Sequence, residues 1–214
     1  MKKLGLYQRR GIIRLPLASS KGPVWDKPGS DPETLVADTF TDTNGTNLTS
    51  HTPETGGAWA TYTPGPPTAW SIQSNKATKA STNGVAQLAY QDTGEADVTI
   101  TLTVVDNDGD DLPGILARYV SHPYYWALVV DINNDLLKLI KCSGAEAVED
   151  SAALSLTAGV AYDLTLVLSG SSITGACGGA EVSATDTITP AEDLHGLYAK
   201  GTSVTFDDLT IVTN

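Results

Sequence analysis

The chain has 214 residues, of which 41% are hydrophobic and 18% are charged, and this composition argues against a largely disordered chain or a coiled coil. The net charge of −12 is divided unevenly: the first thirty residues contain seven of the thirteen basic residues and a single acid and carry +6, while the rest of the chain carries −18. An acidic body of this kind repels nucleic acid and anionic membranes, so neither is expected as its partner.

The first element in chain order, residues 1–34, is predicted to be a basic, extended arm. Arginines interrupt its apolar residues, so the pattern predicts no secretory leader and no membrane span. Apolar anchors in a basic, proline-interrupted segment cannot form a core, but they can lie in grooves of another surface. A solvated, disordered end is the alternative interpretation. The residues predicted to bind a partner are Leu4, Leu6, Tyr7, Arg9, Arg10, Ile12, Ile13, Arg14 and Leu15.

From about Leu35 onward the pattern predicts β-strands. Over residues 98–104 aliphatic side chains alternate with threonines, which is typical of a strand with one buried face. The alternation over residues 125–132 places Trp126 on the buried face and Tyr125 on the opposite face. Turn-forming dipeptides separate such runs by roughly 8 to 12 residues, which indicates antiparallel hairpins and therefore a sandwich or a barrel.

Two features of this region leave alternatives open. Residues 145–154 have some helical propensity, but an edge strand followed by a loop explains them equally well. Cys142 and Cys177 are the only cysteines, and no CxxC or Cys/His cluster accompanies them, which excludes a structural zinc site. We expect both to be free, buried thiols, although the sequence does not determine whether they pair.

Short motifs spread over residues 36–214 together resemble the concanavalin A-like lectin/glucanase (laminin-G-like) jelly roll. In chain order these are residues 38–42 (DTFTD), 57–59 (GAW), 118–119 (RY), 125–126 (YW), 159–162 (GVAY), 196–197 (GL) and 206–211 (FDDLTI). The resemblance implies an all-β fold, a two-sheet antiparallel jelly-roll sandwich over residues 35–214 that follows the arm at residues 1–34. It also implies that the first and last strands lie side by side, an arrangement usual in the family that removes two unpaired edges.

No catalytic residue is assigned, and the sequence predicts a protein that is not an enzyme. Glucanases of this fold carry their carboxylates on one strand in the pattern Glu-x-Asp-x-x-Glu, which no segment matches. The only close pair of glutamates, Glu146 and Glu149, lies in an acidic segment that is predicted to be loop-like. No Gly-x-Ser-x-Gly elbow accompanies the three histidines, and His195 is predicted to be a packing residue at the start of a strand.

The sequence predicts no cofactor. The alternative is calcium, because hard cations bind clustered oxygen ligands. Related jelly rolls hold calcium near the junction of the terminal strands, so the resemblance implies a site at Asp38, Asp207 and Asp208. A second acidic run, residues 106–111, begins like a calcium loop but lacks its glycine and its final glutamate. A solvated hairpin tip is therefore the preferred interpretation of that run.

Carbohydrate binding requires exposed aromatic rings on which the face of a sugar can stack. Trp59, Trp70 and Tyr125 are the candidate glycan-binding residues. Core packing is the alternative explanation for each of them.

The fold that this chain resembles occurs in secreted glycan-binding proteins and in structural proteins of tailed-phage particles. The resemblance therefore implies the fold more firmly than an activity. The arm and the division of charge favour a non-enzymatic virion protein, a capsid decoration or cement protein on the outer virion surface. It would bind capsid or other virion proteins through its arm, as a homo-oligomer or another multi-copy assembly. The alternative is an extracellular carbohydrate-binding module of a tail fibre or an adhesive appendage.

Overall fold

Antiparallel β-strands dominate the structure, as the alternating pattern predicts. A computed structural model describes residues 31–62, 70–79, 84–201 and 203–214, and the predicted partner-binding residues from Leu4 to Leu15 lie outside this part of the chain. The described residues contain fifteen strands and two short 3₁₀ helices, Leu48–Ser50 and Ile132–Asn134. Neither helix is long and apolar enough to cross a membrane.

The strands form two sheets. The eight-stranded sheet contains β1 (Thr34–Asp38), β3 (Ser71–Ile72), β4 (Ala77–Lys79), β6 (Val98–Asp106), β11 (Ala161–Ser169), β12 (Ser172–Cys177), β13 (Ala180–Thr185) and β15 (Val204–Thr213). The seven-stranded sheet contains β2 (Ala60–Tyr62), β5 (Gln87–Asp92), β7 (Leu112–Ser121), β8 (Tyr124–Asp131), β9 (Leu136–Ser143), β10 (Glu146–Ala153) and β14 (Leu194–Lys200).

The order of strands confirms the predicted fold class. Across the eight-stranded sheet it is β13, β12, β11, β6, β15, β4, β3, with β1 also paired to β15. Across the seven-stranded sheet it is β10, β9, β8, β7, β14, β5, β2. The expected contact between the first and last strands is present, since Asp38 on β1 lies opposite Leu209 on β15.

The acidic segment after Gly144 is an edge strand. β10 begins at Glu146, which lies opposite Cys142 of β9, and the register shifts between Val148 and Asp150. Of the two alternatives for residues 145–154, the edge strand is therefore confirmed and the helix is wrong. The description of Glu146 and Glu149 as loop-like is also wrong, because β10 pairs with β9 and Glu149 is the extra residue at a bulge.

The main core fills the space between the two sheets, where strands contribute alternate residues. Ile100 and Leu102 of β6 and Leu128 of β8 are among its buried side chains. Each large apolar side chain removed from water in this way stabilises the fold by about 1.5–3 kcal/mol. Cys177 belongs to this core, and Cys142 faces away from it on the other sheet, so both thiols are free and buried as predicted.

A second group of apolar side chains lies on the face of the seven-stranded sheet that points away from the core. We call it the outer-face cluster. Its buried members are Ala86, Leu88, Leu116, Tyr119, Tyr125, Ala127, Val129, Ile140, Cys142 and Tyr198.

Candidate functional site

Four side chains meet on this outer face, and we call them the Glu146 site. Tyr125 comes from β8, Tyr198 and Lys200 come from β14, and Glu146 is the first residue of β10. Tyr198 and Lys200 point to the same side of their strand because Ala199 between them points into the core.

The Glu146 site shows that the outer face is concave. β10 and β14 are separated by three strands in the sheet, and neighbouring strands lie about 4.8 Å apart, so a flat sheet would hold them about 19 Å apart. The Lys200 Nζ atom nevertheless lies 2.7 Å from Glu146 Oε2. The two strands therefore curve toward each other over this face.

Hydrogen bonds hold the Glu146 carboxylate in its charged form. The hydroxyls of Tyr125 and Tyr198 each donate to Oε1 over 2.7 Å, while Lys200 donates to Oε2. Burial opposes ionisation of Glu146, but these three donors outweigh it, so its pKa lies below the usual value. Burial also raises the pKa of both tyrosines, which therefore stay protonated and keep donating.

Two clefts adjoin the site. The larger cleft, of about 230 Å³, is lined by Gly84, Val85, Ala86, His122, Pro123, Tyr125, Cys142, Gly144, Ala145, Glu146 and Lys200. The smaller, of about 190 Å³, is lined by Leu112, Lys138, Ile140, Glu146, Ala147, Val148 and Lys200. Glu146 and Lys200 belong to both, so one anion and one cation are available to a molecule in either cleft.

Apolar and aromatic groups form the rest of the larger cleft. The ring of His122 stacks on that of Tyr62, with centroids 4.8 Å apart and planes 11° apart. Val85 and Pro123 add aliphatic surface. A molecule that has both hydroxyl groups and a C–H face, as a pyranose or furanose does, finds complementary groups on these walls.

The three predicted glycan-binding residues do not come together. Trp59 and Trp70 are 3% and 1% exposed and belong to the core between the sheets, where Trp70 packs 5.5 Å from Phe206. Their rings are therefore not exposed for stacking, because a sandwich core needs large side chains to fill it. Tyr125 lies on the face opposite Trp126, as predicted, but it is 0% exposed, so its ring is not available for stacking either. Only its hydroxyl takes part in the Glu146 site.

The predicted metal ligands are also kept apart, although β1 and β15 pair. Asp38 turns into the interior and accepts hydrogen bonds from Trp59 and His51. Asp207 instead forms an ion pair with Lys76, and Asp208 follows it at a register shift of β15. The cause is the bulge, which separates these two carboxylates from the inward-facing Asp38.

One group of three carboxylates approaches within 4.8 Å in the described part of the chain, at Asp106, Asp108 and Asp111. Asp106 and Asp111 are buried, so the expectation of a solvated hairpin tip is wrong for these two residues. Backbone amides already occupy their oxygens: Gly109 and Asp111 donate to Asp106, and Ser203 donates to Asp111. The Asp106 and Asp111 side chains are therefore buried because they accept the backbone hydrogen bonds that hold this turn together.

Sequence reasoning missed Glu146, Tyr198 and Lys200. The period-two spacing of Tyr198 and Lys200 was a usable signal, because it places both on one face of a strand. Their meeting with Glu146 had no local signal, since it depends on the curvature of a sheet in which β10 and β14 are not neighbours.

The sequence matches no protein-family model and no curated protein. Solved structures do share the fold. Domain 4 of AbnA, a GH43 extracellular arabinanase from Geobacillus stearothermophilus solved in complex with arabinotriose, aligns with a TM-score of 0.54 at 13% identity, over 86% of this chain and 93% of that one. A protein of unknown function with a galectin-like fold from Bacillus subtilis aligns with a TM-score of 0.53 at 9% identity, over 73% and 90%. At these identities the likeness shows the fold alone, a jelly-roll sandwich of the galectin-like kind.

Proposed function

We propose that this protein is a non-catalytic carbohydrate-binding module that holds a saccharide at the Glu146 site. The observation that carries the proposal is a charged carboxylate and an ammonium, 2.7 Å apart, shared by two clefts on a concave sheet face. Sugar hydroxyls both donate and accept hydrogen bonds, so Glu146 can accept from one hydroxyl while Lys200 donates to another.

The size of the clefts favours sugar units over larger ligands. Each is smaller than the roughly 300–1,000 Å³ of a pocket for a drug-sized molecule, and the two share Glu146 and Lys200. Consecutive units of an oligosaccharide would therefore occupy neighbouring clefts and contact the same ion pair. The domain of similar fold that was solved with arabinotriose supports the choice of an arabino-oligosaccharide as the first probe.

The chemistry of the site supports binding without hydrolysis. Glycosidases need two carboxyl groups, one of which is protonated. Glu146 is the only carboxylate among the described residues that line the two clefts, and Lys200 beside it favours the ionised form. Glu149 does not supply the second group, because it forms an ion pair with Lys141.

The capsid decoration role stays a prediction. It depends on arm residues outside the described part of the chain, and no feature of the two sheets favours a virion over another extracellular setting.

The test is titration of an arabino-oligosaccharide series into the purified full chain by calorimetry. Glu146→Gln should weaken binding by about 10- to 100-fold, because a hydrogen bond to a charged group contributes about 1.5–3 kcal/mol. Glu149→Gln is the matched control: it removes a glutamate from the same strand outside the clefts and should bind like the wild type. Wild-type affinity in Glu146→Gln, or release of reducing ends during the titration, would contradict the proposal.

A further inference from the structure

Accessible aromatic rings are scarce in the two clefts of the Glu146 site, although a sugar stacks best on such a ring. Among the described residues that line the clefts, two are aromatic, His122 and Tyr125, and both belong to the larger cleft. Tyr125 is 0% exposed, whereas His122 is exposed. Of these two rings, that of His122 is therefore the one that a sugar can reach.

We propose that the His122 ring is the platform on which the larger cleft stacks the C–H face of a sugar. The proposal rests on the carbohydrate-binding function and deepens it: Glu146 and Lys200 bind hydroxyl groups, while His122 contacts the apolar face of the same sugar unit. The larger cleft is thereby assigned to a cyclic sugar unit that has a C–H face and hydroxyl groups on its edge.

The fold holds the His122 ring in place before a ligand binds. His122 lies in the two-residue turn between β7 and β8. Its ring stacks on that of Tyr62, with centroids 4.8 Å apart, and its centroid lies 6.2 Å from that of Tyr125. A ring that is packed against two neighbours loses little rotational freedom on binding, so ordering of the side chain subtracts little from the contact with a sugar.

Tyr125 connects this ring to the ion pair. Its own ring contacts that of His122, and its hydroxyl donates to Glu146 over 2.7 Å. His122, Glu146 and Lys200 all line the same cleft, so one sugar unit can contact the ring and the ion pair together. Tyr62 is not among the residues that line this cleft, and it therefore supports the His122 ring from outside.

A tyrosine in the same hairpin provides a matched comparison. Tyr124 is 44% exposed, but it lines neither cleft. Exposure alone would favour Tyr124 as the platform, whereas position beside Glu146 and Lys200 favours His122. The two residues therefore separate a general effect of exposed rings from stacking in the cleft.

The test combines calorimetric titration of an arabino-oligosaccharide into the full chain with proton NMR of the bound sugar. His122→Ala and His122→Asn should each weaken binding about tenfold, because both remove the ring while asparagine keeps a polar group. His122→Phe keeps a ring and should bind within about threefold of the wild type. Tyr124→Ala is the control and should bind like the wild type.

NMR reports the stacking directly. The ring current of an aromatic side chain should shift the C–H protons of the bound sugar upfield in the wild type and in His122→Phe. The same shift should be absent in His122→Asn, even at saturating sugar.

Three outcomes would overturn the platform. Unchanged affinity in His122→Ala would show that the ring is not used, and equal losses in His122→Ala and His122→Phe would show that the imidazole nitrogens bind instead of the ring face. Bound sugar without upfield shifts in the wild type would exclude stacking without any variant.

Failure of the platform is distinguishable from failure of the carbohydrate-binding function. Saccharide binding that is weakened by Glu146→Gln and unaffected by His122→Ala would overturn the platform and leave that function in place. Absence of binding across the whole oligosaccharide series would contradict both.

Discussion

Two carboxylates of the sandwich, Asp38 and Glu146, have similar chemistry and different surroundings. The Asp38 side chain is 0% exposed, and its oxygens accept from the indole of Trp59, the ring of His51 and the amide of Phe40. The Glu146 side chain is 24% exposed and adjoins two clefts. From this difference we infer that a buried carboxylate whose partners all lie in the interior stabilises the fold. A carboxylate that adjoins a cleft can instead bind a ligand.

The largest expected effect is on Asp38. Asp38→Asn leaves one of its buried donors facing an amide nitrogen and removes the charge beside His51, so we expect a loss of about 3–5 kcal/mol in the free energy of unfolding. Urea denaturation measures it. Asp42→Asn, which affects the more exposed partner of His51, should cost clearly less. Equal losses in the two variants would show that Asp38 has no special structural role.

His195 is a second interior group, and it gives the next largest effect. Its Nδ1 accepts from the Arg118 amide over 3.2 Å, and burial lowers its pKa from 6.5 to about 4. The unfolded chain takes up this proton below pH 6.5 and the folded chain only near pH 4, so stability is lost as the pH falls through that window. The loss is about 3 kcal/mol.

The measurement is urea denaturation of the wild type and His195→Gln at several pH values. The free energy of unfolding should decline less between pH 6.5 and 4 in the variant than in the wild type, by about 3 kcal/mol. Parallel curves for the two proteins would mean that His195 does not stay neutral in the interior.

Glu146→Gln should show the reverse pattern to Asp38→Asn. We expect a change in the free energy of unfolding of less than about 1 kcal/mol, because the ion pair with Lys200 is partly exposed and glutamine still accepts from the tyrosines. Saccharide affinity should fall instead, whereas folded Asp38→Asn should bind normally. Denaturation and calorimetry on both variants test this, and a variant that loses both properties would remove the distinction between the two acids.

The same contrast explains how far the sequence could be interpreted. The period-two alternation in residues 98–104 and 125–132 was enough to predict antiparallel strands and to place Trp126 inward and Tyr125 outward, while the choice of two sheets over a barrel came from the family resemblance. The motifs that carry the family resemblance turn out to hold the interior together: Trp59 donates to Asp38, and Arg118 binds Asp186. Tyr125 is the one motif residue that reaches the Glu146 site, so the motifs identified the fold and a single member of that site.

What could not be predicted depends on tertiary geometry. A tryptophan in an irregular stretch fits a core or an exposed rim equally well, so Trp59 and Trp70 could not be assigned from composition. The Glu146 site needs a curved sheet to bring β10 and β14 together, and no spacing within either strand encodes that curvature. The bulge at Asp207 likewise separates carboxylates that strand pairing alone would bring near each other.

The smallest effect concerns His51, which lies between Asp38 and Asp42 at 2.9 and 3.0 Å. Burial opposes its charge, but the hydrogen bonds to Asp42 and Asp38 outweigh burial, so its pKa lies above 6.5. Its stabilising contribution is therefore complete below pH 6.5 and lost as the pH rises through the raised pKa. The hydrogen bond from His51 lowers the pKa of Asp42 below 3.8. The stabilising contribution of the Asp42 carboxylate is therefore complete above pH 3.8 and is lost as the pH falls through its lowered pKa.

The stability difference between the wild type and His51→Gln should accordingly be largest between about pH 4 and 6.5, where both groups are charged, and should shrink as the pH rises. His195 has the opposite dependence, so the two histidines can be separated by direction alone in the same denaturation series. A difference that grows above pH 6.5 would mean that His51 is neutral between its carboxylates. Asp38 would then accept a hydrogen bond from a neutral ring, and the expected cost of Asp38→Asn would fall toward that of an ordinary buried hydrogen bond, about 1–3 kcal/mol.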